Sequence, residues 1–192
     1  DFFLLMKQEL VLLLIIVLLL IIKVGKDWSN ETMLNLINGL LLLNVVIGFV
    51  MPAEGTLFGD MFRTNALISL EKSILNIGVL LISMQSYSWL KTHKHLSEFF
   101  ILMLSTLLGM FYMISSGNLL MFYIGLELSS IPLAAMANFD LEKRKSSEAA
   151  FKFIISSAFS SGMLLFGISL IYGSTGSISF SEITNHISNE PL

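Results

Sequence analysis

Six apolar stretches, each close to the ~20 residues that cross a hydrocarbon core, fill most of this chain and leave only short polar connections between them. In lipid every backbone amide must find a partner inside the protein, so such stretches have to be helices. The runs are long rather than alternating, which argues against a membrane β-barrel. The expected fold is therefore all-α, a polytopic transmembrane helix bundle. Composition agrees: of 192 residues 55% are hydrophobic and 13% charged, with a mean hydropathy of +0.81, where a soluble domain carries about 25% charged residues.

The first span is expected from about Glu9 to Ile22, beginning as early as Phe2, and the second from about Met33 to Met51, ending at Pro52. The third, about Ala66 to Leu90, has Glu71 and Lys72 in its first turns; their nearness to its outer end marks them as interfacial and not conducting, and Glu9 and Glu98 sit at span ends. The fourth covers about Glu98 to Ile114, an SSGN turn follows, and the fifth covers about Leu119 to Ala137. The sixth runs from about Ser147 to Tyr172; beyond it, SFSEITNHI suggests a short surface helix. Gly59 and Arg63 mark a turn before the third span. The connections after spans one, three and five hold Lys23, Lys26, Lys91, Lys94, Lys143, Arg144 and Lys145; the opposite ones hold Lys7 and Arg63. The positive-inside rule then predicts an outward N-terminus. The opening DFFLLMKQEL and the closing HISNEPL suggest a piece of a longer chain.

Against this apolar background Glu127 stands out. It lies ~13 Å from the outer end of span five at 1.5 Å per residue, and charge at such depth is costly. Tyr123 and Ser130, at i−4 and i+3, share its face. Pro132 frees the carbonyl of Leu128, so polar backbone opens beside the acid. Lys152 lies ~8 Å inside span six, with Ser156 and Ser160 at i+4 and i+8 extending one polar stripe inward. The nearby Ser157, Ser161 and Gly162 suit close helix packing, and Glu148 in the first turn suits the helix dipole. Spans five and six must run antiparallel, leaving Glu127 and Lys152 ~9 Å apart in depth on ideal helices. An acid and a base at that separation, in a medium that penalises charge on either, have the minimum equipment of a proton relay. The competing interpretations are a glutamate tied into a helix-to-helix hydrogen bond and a lysine snorkelling to the interface.

Other chemistry has little footing. Without Cys there is no thiol catalysis or cysteine-ligated metal. His93, His95 and His186 fall in polar connections and no metal-ligand spacing, phosphate loop or nucleophile triad appears. The net charge of −3 gives no reason to expect nucleic acid.

The block GLELSSIPLAAMANFDLEKRKSSEAAFKFIISSAFSSGMLLFGISLIYGSTGSISF resembles the fifth- and sixth-span region of the antiporter-like N subunits of respiratory complex I, the NADH:quinone oxidoreductase. The likeness rests on Glu127, Ser147, Glu148, Lys152, Tyr172, Gly173, Thr175 and Gly176 in that order, and GDMFRTNALISLEKSIL resembles the start of the family's third span. Phe153 departs from the aromatic hydroxyl common there. The resemblance implies a fold of about fourteen spans with two inverted repeats, of which six are here. Residues 1–96 would be the first three spans, and 97–192 the start of the first repeat with spans four to six and an outer polar segment. It further implies a proton-translocating subunit in a bacterial cytoplasmic membrane, with Glu127 and Lys152 at the family's ionisable positions. FMN, iron–sulfur clusters and quinone would lie in other subunits, with no cofactor or metal in this chain. The partners would be other membrane-arm subunits and the lipid bilayer. The alternative is a subunit of a multi-subunit Na+/H+ (cation/proton) antiporter.

Overall fold

A computed structural model describes residues 2–25, 28–139 and 144–189. A short helix α1 (Phe2–Leu5) leads into α2 (Lys7–Val24), followed by α3 (Asn30–Val50). Strands β1 (Gly55–Leu57) and β2 (Phe62–Thr64) precede α4 (Ala66–Gln85), α5 (Tyr87–Thr92) and α6 (Leu96–Ile114). The chain continues through α7 (Leu119–Ala137), α8 (Arg144–Thr175) and α9 (Phe180–Asn189). Among the described residues α3, α4, α6, α7 and α8 are long and apolar enough to cross a membrane. The sixth long helix, α2, carries Lys7, Glu9 and Lys23 within its 18 residues.

Local chemistry sets the starts of three spans. Side-chain oxygens of Ser29, Asn65 and Asn118 accept hydrogen bonds from the amides of Thr32, Ile68 and Met121 at 3.2, 2.8 and 2.7 Å. Each satisfies an amide that the first helical turn leaves open. The expected third span differs from the observed one. Its helix ends at Gln85, and Ser86 (φ −88°, ψ 6°) turns the chain into α5. The break lets Leu90 bury completely while the Tyr87 hydroxyl reaches Asn35 Oδ1 at 3.4 Å.

The apolar core lies where α2, α3 and α6 meet. Leu12, Ile15 and Leu19 of α2 face Leu34, Ile37 and Leu41 of α3 and Phe100, Leu104, Leu107 and Phe111 of α6. These positions recur every three or four residues, so each helix buries one stripe. Next to this core α6 and α7 touch backbone to backbone. A Cβ at Gly109 would stand 2.7 Å from the Leu128 carbonyl carbon, and one at Gly125 2.6 Å from the Met113 nitrogen. Two glycines thus fix how near α7, and Glu127 with it, approaches the bundle. Helix α8 packs on the far side of α7.

One end of the bundle is closed by backbone. Strands β1 and β2 pair antiparallel, Gly55 opposite Thr64, around a turn in which Phe58 and Asp60 have φ of 55° and 66°. The Arg63 amide donates to Ser115 O, and the Gly117 amide to Met61 O, both at 2.7 Å. The Leu119 amide donates to Ile178 O at 2.9 Å. The short surface helix expected in SFSEITNHI is α9. At the opposite end Lys23 pairs with Glu98 at 3.0 Å and Lys91 with Glu31 at 2.8 Å. Asn30 Nδ2 donates to the carbonyls of Lys91 and His93 at 3.0 Å each. The basic connections therefore share one end; Lys26 and Lys143 lie outside the described residues.

Candidate functional site

Glu127 sits midway along α7, and one carboxylate oxygen, Oε1, is buried with no hydrogen-bond partner. It borders a cavity of about 380 Å³ between α7 and α8, lined by Ser130, Ile131 and Ala134 from one helix and Ile154, Ser157 and Ser161 from the other. Small side chains on the facing stripes of the two helices keep this space open. The Ser130 hydroxyl is spent on its own helix, donating to Glu127 O at 3.3 Å. Tyr123, half-buried, is one turn away and does not border the cavity. Pro132 lies within an uninterrupted α7, and its missing amide leaves the Leu128 carbonyl without its helical donor.

Lys152 is placed elsewhere. Its ammonium meets Glu148 Oε1 at 2.6 Å, one turn earlier on α8, with the two side chains 72% and 60% exposed. Helical geometry explains the separation: at 100° per residue Lys152 projects about opposite to Ser161, which faces α7. Ser156 and Ser160 continue the Lys152 face, are exposed, and are joined by the Ser160 hydroxyl donating to Ser156 O at 2.9 Å. The polar stripe and the Glu127 cavity thus lie on opposite sides of α8. The cavity serines are Ser157 and Ser161, the pair that sequence spacing assigns to packing.

A second ionisable pair was not evident from the sequence. Lys72 of α4 lies 2.5 Å from Glu9 Oε1 of α2, and both side chains are 1% exposed. Glu71 is exposed as expected of an interfacial residue, whereas Lys72 is enclosed. Phe62 of β2 covers the ammonium, with its ring centroid 5.0 Å away. Beyond the ammonium, neither Glu9 oxygen has a hydrogen-bond partner. A polar layer adjoins the pair. Gln8 Nε2 donates to Ser73 Oγ at 3.1 Å, Asn44 Nδ2 to Gln8 O at 3.4 Å, and Asn76 Nδ2 to Leu41 O at 3.2 Å. The readable signal is on α4, where Ser69, Lys72, Ser73, Asn76 and Ser83 recur at helical spacing and are all buried.

His93 and His95 each have a neighbour of another kind. His95 Nδ1 is 3.2 Å from Glu98 Oε1, while the His93 ring packs 4.7 Å from Phe139 and 4.9 Å from Trp89. Among the described residues no group of three His, Cys, Asp or Glu side chains converges on one point.

Comparison with known proteins agrees with this architecture. Residues 116–191 match the family described as NADH:quinone oxidoreductase/Mrp antiporter, transmembrane. Subunit N of the NADH-quinone oxidoreductase of Phocaeicola vulgatus is 45% identical over 156 residues, 80% of this chain and 33% of the relative. The Pelagibacter ubique subunit N is 40% identical over 85% of this chain and 35% of its own length. The chain thus spans about a third of the curated relatives it matches. Among solved structures, a chain of respiratory complex I from Thermus thermophilus superposes with a TM-score of 0.74 at 23% identity, over 90% of this chain and 38% of that one. A chain of the archaeal membrane-bound sulfane sulfur reductase superposes at 0.69 with 21% identity, over 94% and 38%. Both likenesses are of fold. With relatives of this identity along most of its length and the same helical framework, the chain belongs to the antiporter-like membrane subunits of the NADH-quinone oxidoreductase subunit N type.

Proposed function

We propose that this chain is part of a membrane-arm subunit of an NADH:quinone oxidoreductase and takes part in moving protons across the bilayer. Redox chemistry, with FMN, iron–sulfur clusters and quinone, would take place in other subunits, so this one is a non-redox component of a translocase. The observation that carries the reading is the buried, unpartnered Glu127 Oε1 at the α7–α8 cavity. A carboxylate with a free lone pair beside an open space can take up and release a proton without first breaking a hydrogen bond. Lys152, held by Glu148 on the other side of α8, would carry the charge onward along Ser156 and Ser160 toward neighbouring spans and membrane-arm subunits. Tyr123 and the Leu128 carbonyl freed by Pro132 would supply further polar positions along α7. The clustering of basic connections at one end supports a cytoplasmic location for that end and an outward N-terminus in a bacterial cytoplasmic membrane.

The family description also covers Mrp antiporters, and a cation/proton antiporter is the second reading; the identity to several subunits N supports the first. The test is Glu127→Gln in the full-length subunit in its native membrane. NADH-driven proton uptake into inverted vesicles is expected to fall toward the leak level while the subunit stays in its complex. Undiminished pumping would overturn the relay, and NADH-independent sodium extrusion sensitive to the same substitution would favour the antiporter.

A further inference from the structure

The Glu9–Lys72 pair asks for an explanation that packing does not provide. Taking two charges out of water costs several kcal/mol each, and replacing a buried ion pair by apolar side chains is often neutral or stabilising. A pair kept only to hold helices together would also be expected to have its lone pairs satisfied by neighbouring donors. Here the reverse holds. Both Glu9 oxygens lack any hydrogen bond beyond the ammonium, and the Asn44 and Asn76 side-chain oxygens are likewise buried and unpartnered. The amides of Asn44 and Asn76 are committed to the Gln8 and Leu41 carbonyls, so their orphaned oxygens belong to the same polar layer between α2, α3 and α4. A carboxylate that is held as an anion ordinarily collects several donors; this one has a single support, and that support can itself give up a proton. Phe62 closes the lysine from the hairpin side.

We propose that Glu9 and Lys72 form a proton-exchanging pair in their own right, a second site within the first three long helices, separate from Glu127. In the exchange a proton leaves Lys72 Nζ and bonds to a Glu9 oxygen, turning ammonium and carboxylate into amine and carboxylic acid; the reverse step restores the ion pair. Neither direction changes the net charge in the bundle, so the site passes between states without placing a new charge in the apolar interior. The ionisable groups facing it are Lys7, two residues before Glu9 on α2 and within electrostatic reach of both members, and Tyr112 of α6, within reach of Glu9. Lys7 is held at the bundle edge by the Met51 carbonyl and lines a surface groove with Phe3, Leu4 and Ile47. Tyr112 is on the helix that touches α7.

The test separates proton exchange from mere charge pairing. In the full-length subunit within its native complex, Lys72→Arg keeps the positive charge but cannot be deprotonated, while Glu9→Gln combined with Lys72→Met removes both charges together. Subunit content of the complex, proton uptake per NADH oxidised, and the carboxyl stretching region of redox-induced infrared difference spectra are recorded for both. The proposal expects Lys72→Arg to assemble, to lose proton uptake per NADH, and to lack a deuterium-sensitive carboxyl band that the native complex shows and that Glu9→Gln combined with Lys72→Met also abolishes. Native uptake in Lys72→Arg together with an unchanged carboxyl region would overturn it and make the pair an electrostatic clasp. Failure of both variants to assemble would overturn it too, assigning the pair to folding. Because Glu127 is untouched, loss of pumping in Glu127→Gln with none in Lys72→Arg would overturn the second site alone.

Discussion

Removing one member of a buried ion pair and removing both are different experiments. Lys72→Met leaves the Glu9 carboxylate enclosed without its paired ammonium and with no hydrogen bond, a loss of about 3–5 kcal/mol for pairs of this kind. Adding Glu9→Gln removes the stranded charge, so the double variant is expected to regain most of that stability. Thermal denaturation of the detergent-purified complex, followed through release of this subunit, checks both; equal loss in single and double variants would mean that the pair contributes through its shape. The same residues show why depth is legible in a sequence and partnership is not. Glu127 lies so far inside an apolar run that its place midway along a helix follows from counting residues. Glu9 and Lys72 lie within two turns of their helix starts, where a sequence reader places charges at the interface. What encloses them is contributed from afar: Phe62 on β2 covers one, and α3 and α6, packed on α2, enclose the other. Lys152 illustrates the converse, since its stripe with Ser156 and Ser160 is correct helical arithmetic, yet periodicity alone does not say which side of α8 turns toward α7.

Among the elements, the span boundaries followed from hydropathy because lipid leaves so few options for the backbone. The fifth expected span, Leu119 to Ala137, coincides with α7, whose start is fixed by the Asn118 cap. The break at Ser86 and the β1–β2 hairpin were less readable, because both depend on tertiary partners: Asn35 and the core under Leu90 for the first, the Ser115–Gly117 backbone for the second. The α6–α7 contact makes a sharp prediction. At Gly109 the nearest atoms to an added Cβ are the Leu128–Ser129 backbone, which cannot rotate away, whereas a Cβ at Gly78 of α4 meets nothing within 4 Å. Gly109→Ala is therefore expected to cost about 1–3 kcal/mol through overpacking and to push α7 outward, carrying Glu127 with it. Gly78→Ala should leave both stability and pumping at native levels. Denaturation midpoints and NADH-driven proton uptake of the two variants, compared in the full-length subunit, decide it; equal behaviour would mean that α6 and α7 have room to part.

For the whole molecule, the two ends of the bundle differ in chemistry as well as in charge. One is stitched by backbone hydrogen bonds among the hairpin, the 115–118 turn and residues 177–180. The other is held by the Lys23–Glu98 and Lys91–Glu31 pairs and by aromatic packing of Trp89, His93, Phe99 and Phe139. Glu31 holds the exposed Lys91 ammonium above the usual lysine range, and lysine is charged at neutral pH with or without that pairing. Positive connections resist translocation, and those within 15–20 residues of a span end weigh most. In the proposed orientation the Lys91 end faces the cytoplasm and the hairpin the outside. The stretch contains no cysteine, so single cysteines report its sides directly. The chosen positions are Phe58, exposed at the hairpin turn, and Lys94, in the connection between α5 and α6. In intact spheroplasts a membrane-impermeant maleimide is expected to label Phe58→Cys at once and Lys94→Cys only after permeabilisation. The opposite pattern would invert the bundle. The α7–α8 cavity would then keep its geometry, but in the proposed relay Lys152, close to the basic end of α8, would stand near the side to which protons are delivered instead of the side from which they are drawn.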